Sequence, residues 1–225
     1  MSIFRVFVGY DSRYPDVYEV CKRSIQKYVS VTVEPLNLQE LRDQNAYWGT
    51  QSGSTEFSFT RFLVPYLTGY TGKAIYCDSD FLWTANITQI KYNINEDQGV
   101  FCVQHNLPQS LMTNMKMDGQ PQVYYPRKNW SSFMVFNCSH KVCKKLTPEY
   151  VSTTDGLSLH SLDWAGNSIG NLPLLYNFLV NYYTSDVTPL GIHYTDGGPW
   201  LPQYSSCPYS NLWHDMHDYV QRNPQ

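Results

Sequence analysis

Lys73-Ala74-Ile75-Tyr76-Cys77 is a short apolar run that passes directly into Asp78-Ser79-Asp80. Apolar runs of this length bounded by polar residues read as buried strands. In extended chain, residues i and i+2 point to the same face. Any fold that accepts this segment must therefore present two carboxylates side by side where a buried strand ends. Like charges so close are poorly tolerated unless a cation stands between them.

The flanking sequence alternates strand-like and helix-like segments. Residues 3–8 form an apolar run that ends in Gly9-Tyr10-Asp11. Pro15 suits the first turn of a helix, and Val17, Val20, Cys21, Ser24 and Tyr28 recur at helical spacing. Residues 31–36 predict a second strand, 43–54 a loop, and 55–67 a helix kinked by Pro65. That helix would carry Phe59, Phe62, Leu63 and Tyr66 on one face and end at Gly69 and Gly72. Residues 81–83, 99–104 and 133–137 are further apolar stretches, the last two read as strands. Residues 106–128 are polar, hold three Pro and three Met, and predict a long loop of the kind that closes over a site. The C-terminal third reads as irregular until Pro208, after which Leu212, Met216 and Tyr219 predict a closing helix. This order predicts an α/β fold: one domain over 1–225, either whole or one part of a longer protein, with a central, mostly parallel mixed sheet flanked by helices. Ligands of such sheets bind beyond the C-terminal strand ends, where Asp11, Asp78 and Asp80 fall.

Composition narrows the function. A net charge of -3, with 16 scattered basic residues, argues against nucleic acid as a partner. No apolar run reaches the roughly 18 residues of a membrane span, and the N-terminus does not read as a signal peptide. The six Cys include no CxxC pair, so a zinc knuckle is not expected. A reducing, cytoplasmic setting is the expectation (host cytoplasm for a viral chain), and the sequons at Asn86, Asn129 and Asn137 are then chance matches.

Three constellations carry chemistry. Asp78 and Asp80 suit Mn²⁺ or Mg²⁺, which favour carboxylate, water and phosphate oxygens, so a metal at Asp80 would bridge to a diphosphate. His193, ahead of Thr195-Asp196-Gly197-Gly198-Pro199-Trp200, would complete the metal shell as a neutral imidazole. The Gly197-Gly198 turn would let backbone amides approach a phosphate. Arg61, among apolar neighbours, needs a partner: Glu56, Asp78, or a donor phosphate or sugar.

The ordered set Gly9-Tyr10-Asp11, Thr60-Arg61-Phe62, Ile75 to Asp80, and His193-Tyr194 with Gly198-Pro199-Trp200 resembles the GT-A fold glycosyltransferases. The likeness is to the family-eight-like group that includes glycogenin and bacterial galactosyltransferases, and to small bacterial and large-DNA-virus glycosyltransferase domains. It spans roughly residues 3–215. The resemblance implies a Rossmann-like GT-A domain that moves a sugar from a nucleotide-sugar, a UDP-sugar by preference, to an acceptor hydroxyl on a carbohydrate. It implies that Gly9, Tyr10 and Asp11 hold uracil and ribose, and that Arg61 contacts the diphosphate or donor sugar. It further implies that Asp78, next to Ser79, touches ribose and metal, that Asp80 and His193 ligate the metal, and that Gly197 and Gly198 lie against the β-phosphate. Asp163 falls near the family's acidic residue facing the donor sugar. One departure is that the family often places Lys before Pro-Trp, where this chain has Gly198, with a shorter spacing from His193. Arg61, the metal or another Lys would then have to serve the phosphate.

Inversion at the anomeric carbon would call for a general base, with Asp155, Asp163 and Asp196 as candidates, and retention would need none. Trp130, Trp164 and Trp200 are candidate sugar platforms. Two other classes share parts of this pattern. A carbohydrate-binding module fits the 19 Tyr and 6 Trp but not the carboxylate pair with a downstream His. A metal-dependent phosphoesterase or nucleotidyltransferase fits the pair but usually gathers more ligands.

Overall fold

A computed structural model of the chain describes residues 4–108, 115–116, 120–121 and 127–224. The core is a six-stranded mixed sheet in the order β2-β1-β3-β8-β5-β9. It comprises β1 (Phe4–Gly9), β2 (Val33–Leu36), β3 (Lys73–Cys77), β5 (Val100–Cys102), β8 (Phe133–Asn137) and β9 (Ile169–Asn171). β1 is parallel to β2 and β3, and β5 is parallel to β9, while β8 runs antiparallel to both β3 and β5. The sheet is thus mostly parallel, as the alternating pattern predicts.

The pleat sorts side chains to two cores. Along β3, Ala74 and Tyr76 join one apolar cluster while Ile75 and Cys77 join the other. Along β8, Met134 and Phe136 face the first and Phe133 and Val135 the second. Both faces are covered, which is why these strands read as unbroken apolar runs. Helix α1 (Pro15–Gln26) packs Tyr18, Cys21 and Ile25 on the second face. A smaller sheet, β10-β11-β4, is formed by β4 (Phe81–Trp83), β10 (Phe178–Leu179) and β11 (Gly191–His193). Its Leu82 and Ile192 meet Val17 and Val20 of α1 and Trp213 and Met216 of the closing helix α6 (Ser210–Arg222). A two-stranded ribbon pairs β6 (Met115–Lys116) with β7 (Gln120–Pro121). The lid expected over 106–128 otherwise lies largely outside the described residues.

Two expectations need correction. The single kinked helix over 55–67 is a turn, a 3₁₀ segment (Thr60–Leu63) and a four-residue helix α3 (Val64–Leu67). Pro65 opens α3 rather than kinking a longer helix, because proline suits the first turn, where its missing N–H costs nothing. The stretch before Pro208 is not irregular. Besides β9, β10 and β11 it holds α4 (Pro148–Thr153), capped by Thr147, and α5 (Gly156–His160), capped by Asp155. A further short helix missed by periodicity, α2 (Leu38–Asp43), is capped by Asn37, whose side chain accepts from the amides of Gln39 and Glu40.

Candidate metal centre

Asp78, Ser79 and Asp80 are the link between the two sheets, since β3 ends at Cys77 and β4 begins at Phe81. The antiparallel register of β4 with β11 sets His193 opposite Phe81, and the Tyr194 amide donates to the Asp80 carbonyl at 3.0 Å. Asp78, Asp80 and His193 thereby converge, each offering one ligand atom, with those atoms all within 4.8 Å of one another. His193 Nε2 lies 3.4 Å from Asp80 Oδ1. Two carboxylates and an imidazole are a donor set that Mn²⁺ accepts, so the residues present fit the metal that the sequence predicts.

Asp78 is 9% exposed and is held from several sides. Its Oδ1 pairs with Arg61 Nη1 at 2.8 Å and accepts from the Tyr76 hydroxyl at 2.6 Å. Its amide donates to the Ser132 carbonyl at 2.9 Å. Burial pushes the Asp78 carboxyl up, and Asp80 adds to this, while Arg61, His193 and Tyr76 pull the other way without cancelling it. Arg61, 5% exposed, also donates to the carbonyls of Ser131 and Phe57 and stacks over Tyr76 and Phe57. Of the partners open to Arg61, the structure therefore joins it to Asp78, whereas Glu56 bonds to Ser12.

Asp11 is nearly buried and accepts from Arg13 Nη2 at 2.6 Å and from the Glu56 amide at 3.3 Å. Burial would raise its carboxyl, but the hydrogen bonds and charge of Arg13 outweigh that and hold it low. Asp11 thus fastens the loop after β1 to the turn at 54–56. A narrow cleft there is lined by Asp11, Tyr14, Thr55, Ser79, Asp80 and Trp200. Larger concavities lie between α1 and α6, away from the carboxylates. Gly9 passes beneath the Phe57 ring so closely that a Cβ there would collide with it, and Tyr10 packs edge-on against Tyr18.

Gly197 has φ +125°, which favours glycine. A Cβ at Gly198 would run into the Trp200 ring. Trp200, packed on Tyr194 and Trp213, thus occupies the space that a side chain at 198 would enter here. Among the candidate bases, Asp155 is exposed and capping α5, with Ser158 hydrogen bonds holding it low. Asp163 is exposed at the start of a 3₁₀ turn, and no hydrogen bond or ion pair joins it to the trio. Asp196 is buried and accepts from the Tyr182 hydroxyl at 3.0 Å. Trp164 belongs to the core, against Phe62 and Phe136. Trp130 is half-buried and donates to the His105 carbonyl.

Three neighbours of the site escaped the sequence reading. Tyr76 was visible only as part of an apolar run. His105, three residues beyond β5, is pushed down to about 3, first by burial and then by His193. Asn177, wholly buried, bonds to His193. Its signal was an amide inside the apolar stretch 172–180, since a buried polar group requires partners.

This arrangement, a mixed Rossmann-like sheet whose central strand ends in Asp-x-Asp beside a histidine from a second sheet, is the GT-A glycosyltransferase fold. Among solved structures, GlyE of Streptococcus pneumoniae TIGR4 superposes with a TM-score of 0.64 at 13% identity, over 96% of this chain and 60% of GlyE. The chain thus spans under two thirds of GlyE's length. The galactosyltransferase LgtC, in complex with donor and acceptor sugar analogs, superposes at 0.61 and 11% identity over 99% of this chain and 98% of its own. A glycosyltransferase involved in glycosylation of the major capsid of PBCV-1 does so at 0.52 and 10%, over 98% and 99%. No family profile matches the chain. In sequence it is 42% identical over 231 residues to Protein CDI of Arabidopsis thaliana, covering 98% of this chain and 88% of that protein, and it belongs to the family of Protein CDI.

Proposed function

We propose that this chain is a metal-dependent glycosyltransferase that moves a sugar from a nucleotide-sugar, a UDP-sugar by preference, to an acceptor hydroxyl on a carbohydrate. The observation that carries this reading is the convergence of Asp78, Asp80 and His193 at the seam between the two sheets, on the edge of a cleft that reaches Asp11. A bound Mn²⁺ or Mg²⁺ would supply positive charge to the departing diphosphate. The protein's own part is to hold that charge in place and shape the cleft around it.

Asp80 and His193 are the principal ligands, with Asp78 beside them. Arg61 acts through Asp78, to which it is paired, and is a positioning residue in this scheme rather than a direct contact of the donor. Gly9, Tyr10 and Asp11 are assigned to the nucleoside, with Asp11 and Ser79 among the residues that line the cleft. Gly197 and Gly198 carry the turn after the metal-binding histidine, where backbone amides meet the β-phosphate. Asp163 is assigned to the donor-sugar side on the family resemblance alone. Residues 1–225 act as one catalytic domain, either whole or one part of a longer protein.

Calorimetric titration of UDP with Mn²⁺, then with EDTA, and again on Asp80→Ala tests the reading. Metal-dependent binding that vanishes in the variant is expected. Sugar binding indifferent to nucleotide and metal would turn the assignment to a carbohydrate-binding module. Release of UMP rather than UDP from a UDP-sugar would turn it to a phosphoesterase.

A further inference from the structure

The hydrogen bonds around Asn177 determine which nitrogen of His193 carries its proton. Asn177 Nδ2 lies 3.2 Å from the Asn129 carbonyl, a group that only accepts, and 3.0 Å from Ser132 Oγ. The Ser132 hydroxyl already donates to that same Asn129 carbonyl at 2.7 Å, so toward Asn177 it accepts. Both contacts demand the NH₂ end of the amide. Asn177 Oδ1 therefore faces His193 Nδ1, 2.8 Å away, and an amide oxygen can only accept. Nδ1 must hold the hydrogen. In the neutral imidazole this leaves the lone pair on Nε2, the atom that faces Asp80 Oδ1 at 3.4 Å. The ring is further fixed in plane by stacking on Phe81, with centroids 4.4 Å apart and planes 17° apart.

We infer that Asn177 is a positioning residue that locks His193 in the Nδ1–H tautomer and aims the Nε2 lone pair at the cation site. This rests on the reading of the trio as a metal centre. A lone pair set against a carboxylate oxygen at 3.4 Å is repulsive by itself and becomes attractive once a cation lies between. Hydrogen-bonded partners of ligand histidines set ring orientation and basicity, and losing one typically weakens metal affinity by about 10–100-fold. The lock also reaches past the trio. Asn129, whose carbonyl orients Asn177, holds φ +64° and accepts at Oδ1 from Thr195, two residues beyond His193. The approach to β8 and the turn after β11 are thus tied to the same amide.

Two measurements on the full chain test this. The first is nitrogen–proton correlation NMR of the His193 ring without metal. Wild type should show the Nδ1–H tautomer, and Asn177→Leu, similar in size but without the amide, a mixture or the other tautomer. Ser132→Ala, which leaves the Asn177 amide anchored on the Asn129 carbonyl, should keep Nδ1–H. The second is titration of Mn²⁺ alone: Asn177→Leu should lose about 10–100-fold in affinity, while Ser132→Ala holds close to wild type. An Nε2–H tautomer in the wild type overturns the inference whether or not metal binds. A lock present by NMR together with absent Mn²⁺ binding overturns the metal reading and, with it, the role given to the lock. If Asn177→Leu fails to fold, the tautomers of wild type and Ser132→Ala still decide.

Discussion

Arg61 offers the sharpest test of how the centre is built. Its guanidinium sits 2.8 Å from Asp78 Oδ1 in a site where Arg61 is 5% exposed and Asp78 9%. Replacing Arg61 with Met keeps much of the apolar stem and removes the charge, leaving the Asp78 carboxylate buried beside Asp80. Removing one partner of a buried ion pair costs about 3–5 kcal/mol. For a domain of this length each kcal/mol moves Tm by about 2–4 °C, so a fall of about 6–20 °C is expected in EDTA. The stranded charge also sharpens the demand for a cation, so Mn²⁺ should raise the Tm of Arg61→Met more than that of wild type. Arg61→Lys, which keeps charge but loses the guanidinium whose Nη1 meets both Asp78 and the Ser131 carbonyl, should fall between. Differential scanning calorimetry with EDTA and with Mn²⁺ measures all three. If Arg61 instead served the donor, Arg61→Met would melt like wild type in EDTA and lose only UDP affinity, and that outcome would refute the buried-pair reasoning.

Other substitutions probe neighbouring parts of the design. Tyr76→Phe deletes the 2.6 Å bond to Asp78 and should cost about 1.5–3 kcal/mol in urea denaturation, as for hydrogen bonds to charged groups, with weaker Mn²⁺ binding. Asp11 has a folded-state carboxyl held below its ordinary value, so its contribution is present above about pH 4 and lost as pH falls through the lowered value. Asp11→Asn should therefore melt lower than wild type at pH 7, by the equivalent of about 1 kcal/mol given the half-exposed Arg13, and converge with it in acid. Gly198→Lys, which restores the family's residue, should displace Trp200 and cost about 1–3 kcal/mol from overpacking. Its readouts are a lower Tm and changed Trp fluorescence, without a gain in UDP affinity.

The parts of this fold that show in the sequence are those whose own periodicity is complete. Residues 73–77 and 133–137 are buried on both faces and therefore read as unbroken apolar strands, and α1 and α6 are long enough to repeat an apolar stripe. α4 and α5 are too short to repeat one, and only their caps at Thr147 and Asp155 mark them. β9 to β11 have two or three residues each and gain their form from partners rather than from pattern. The trio proposed to hold the metal was legible because carboxylates at a strand end and a histidine before a glycine turn are chemically pointed. The use of Arg61 was not, since whether a buried cation meets a protein carboxylate or a ligand depends on the path of residues far along the chain. Asn177 was hidden because nothing local says which group a buried amide will hold.

The Asp78-Ser79-Asp80 link is where the chain leaves the six-stranded sheet for the three-stranded one, while His193 reaches it from β11, the middle strand of the smaller sheet. A cation at that point, if the proposed centre holds one, would fasten two separately hydrogen-bonded layers as a rivet fastens plates. Its arrival would be felt mechanically before any sugar moves: amide exchange along β4 and β11 should slow together on metal binding. The centre would then govern how freely the smaller sheet and α6 breathe against the larger one, and rigidity of the cleft would follow the supply of metal in the surrounding medium.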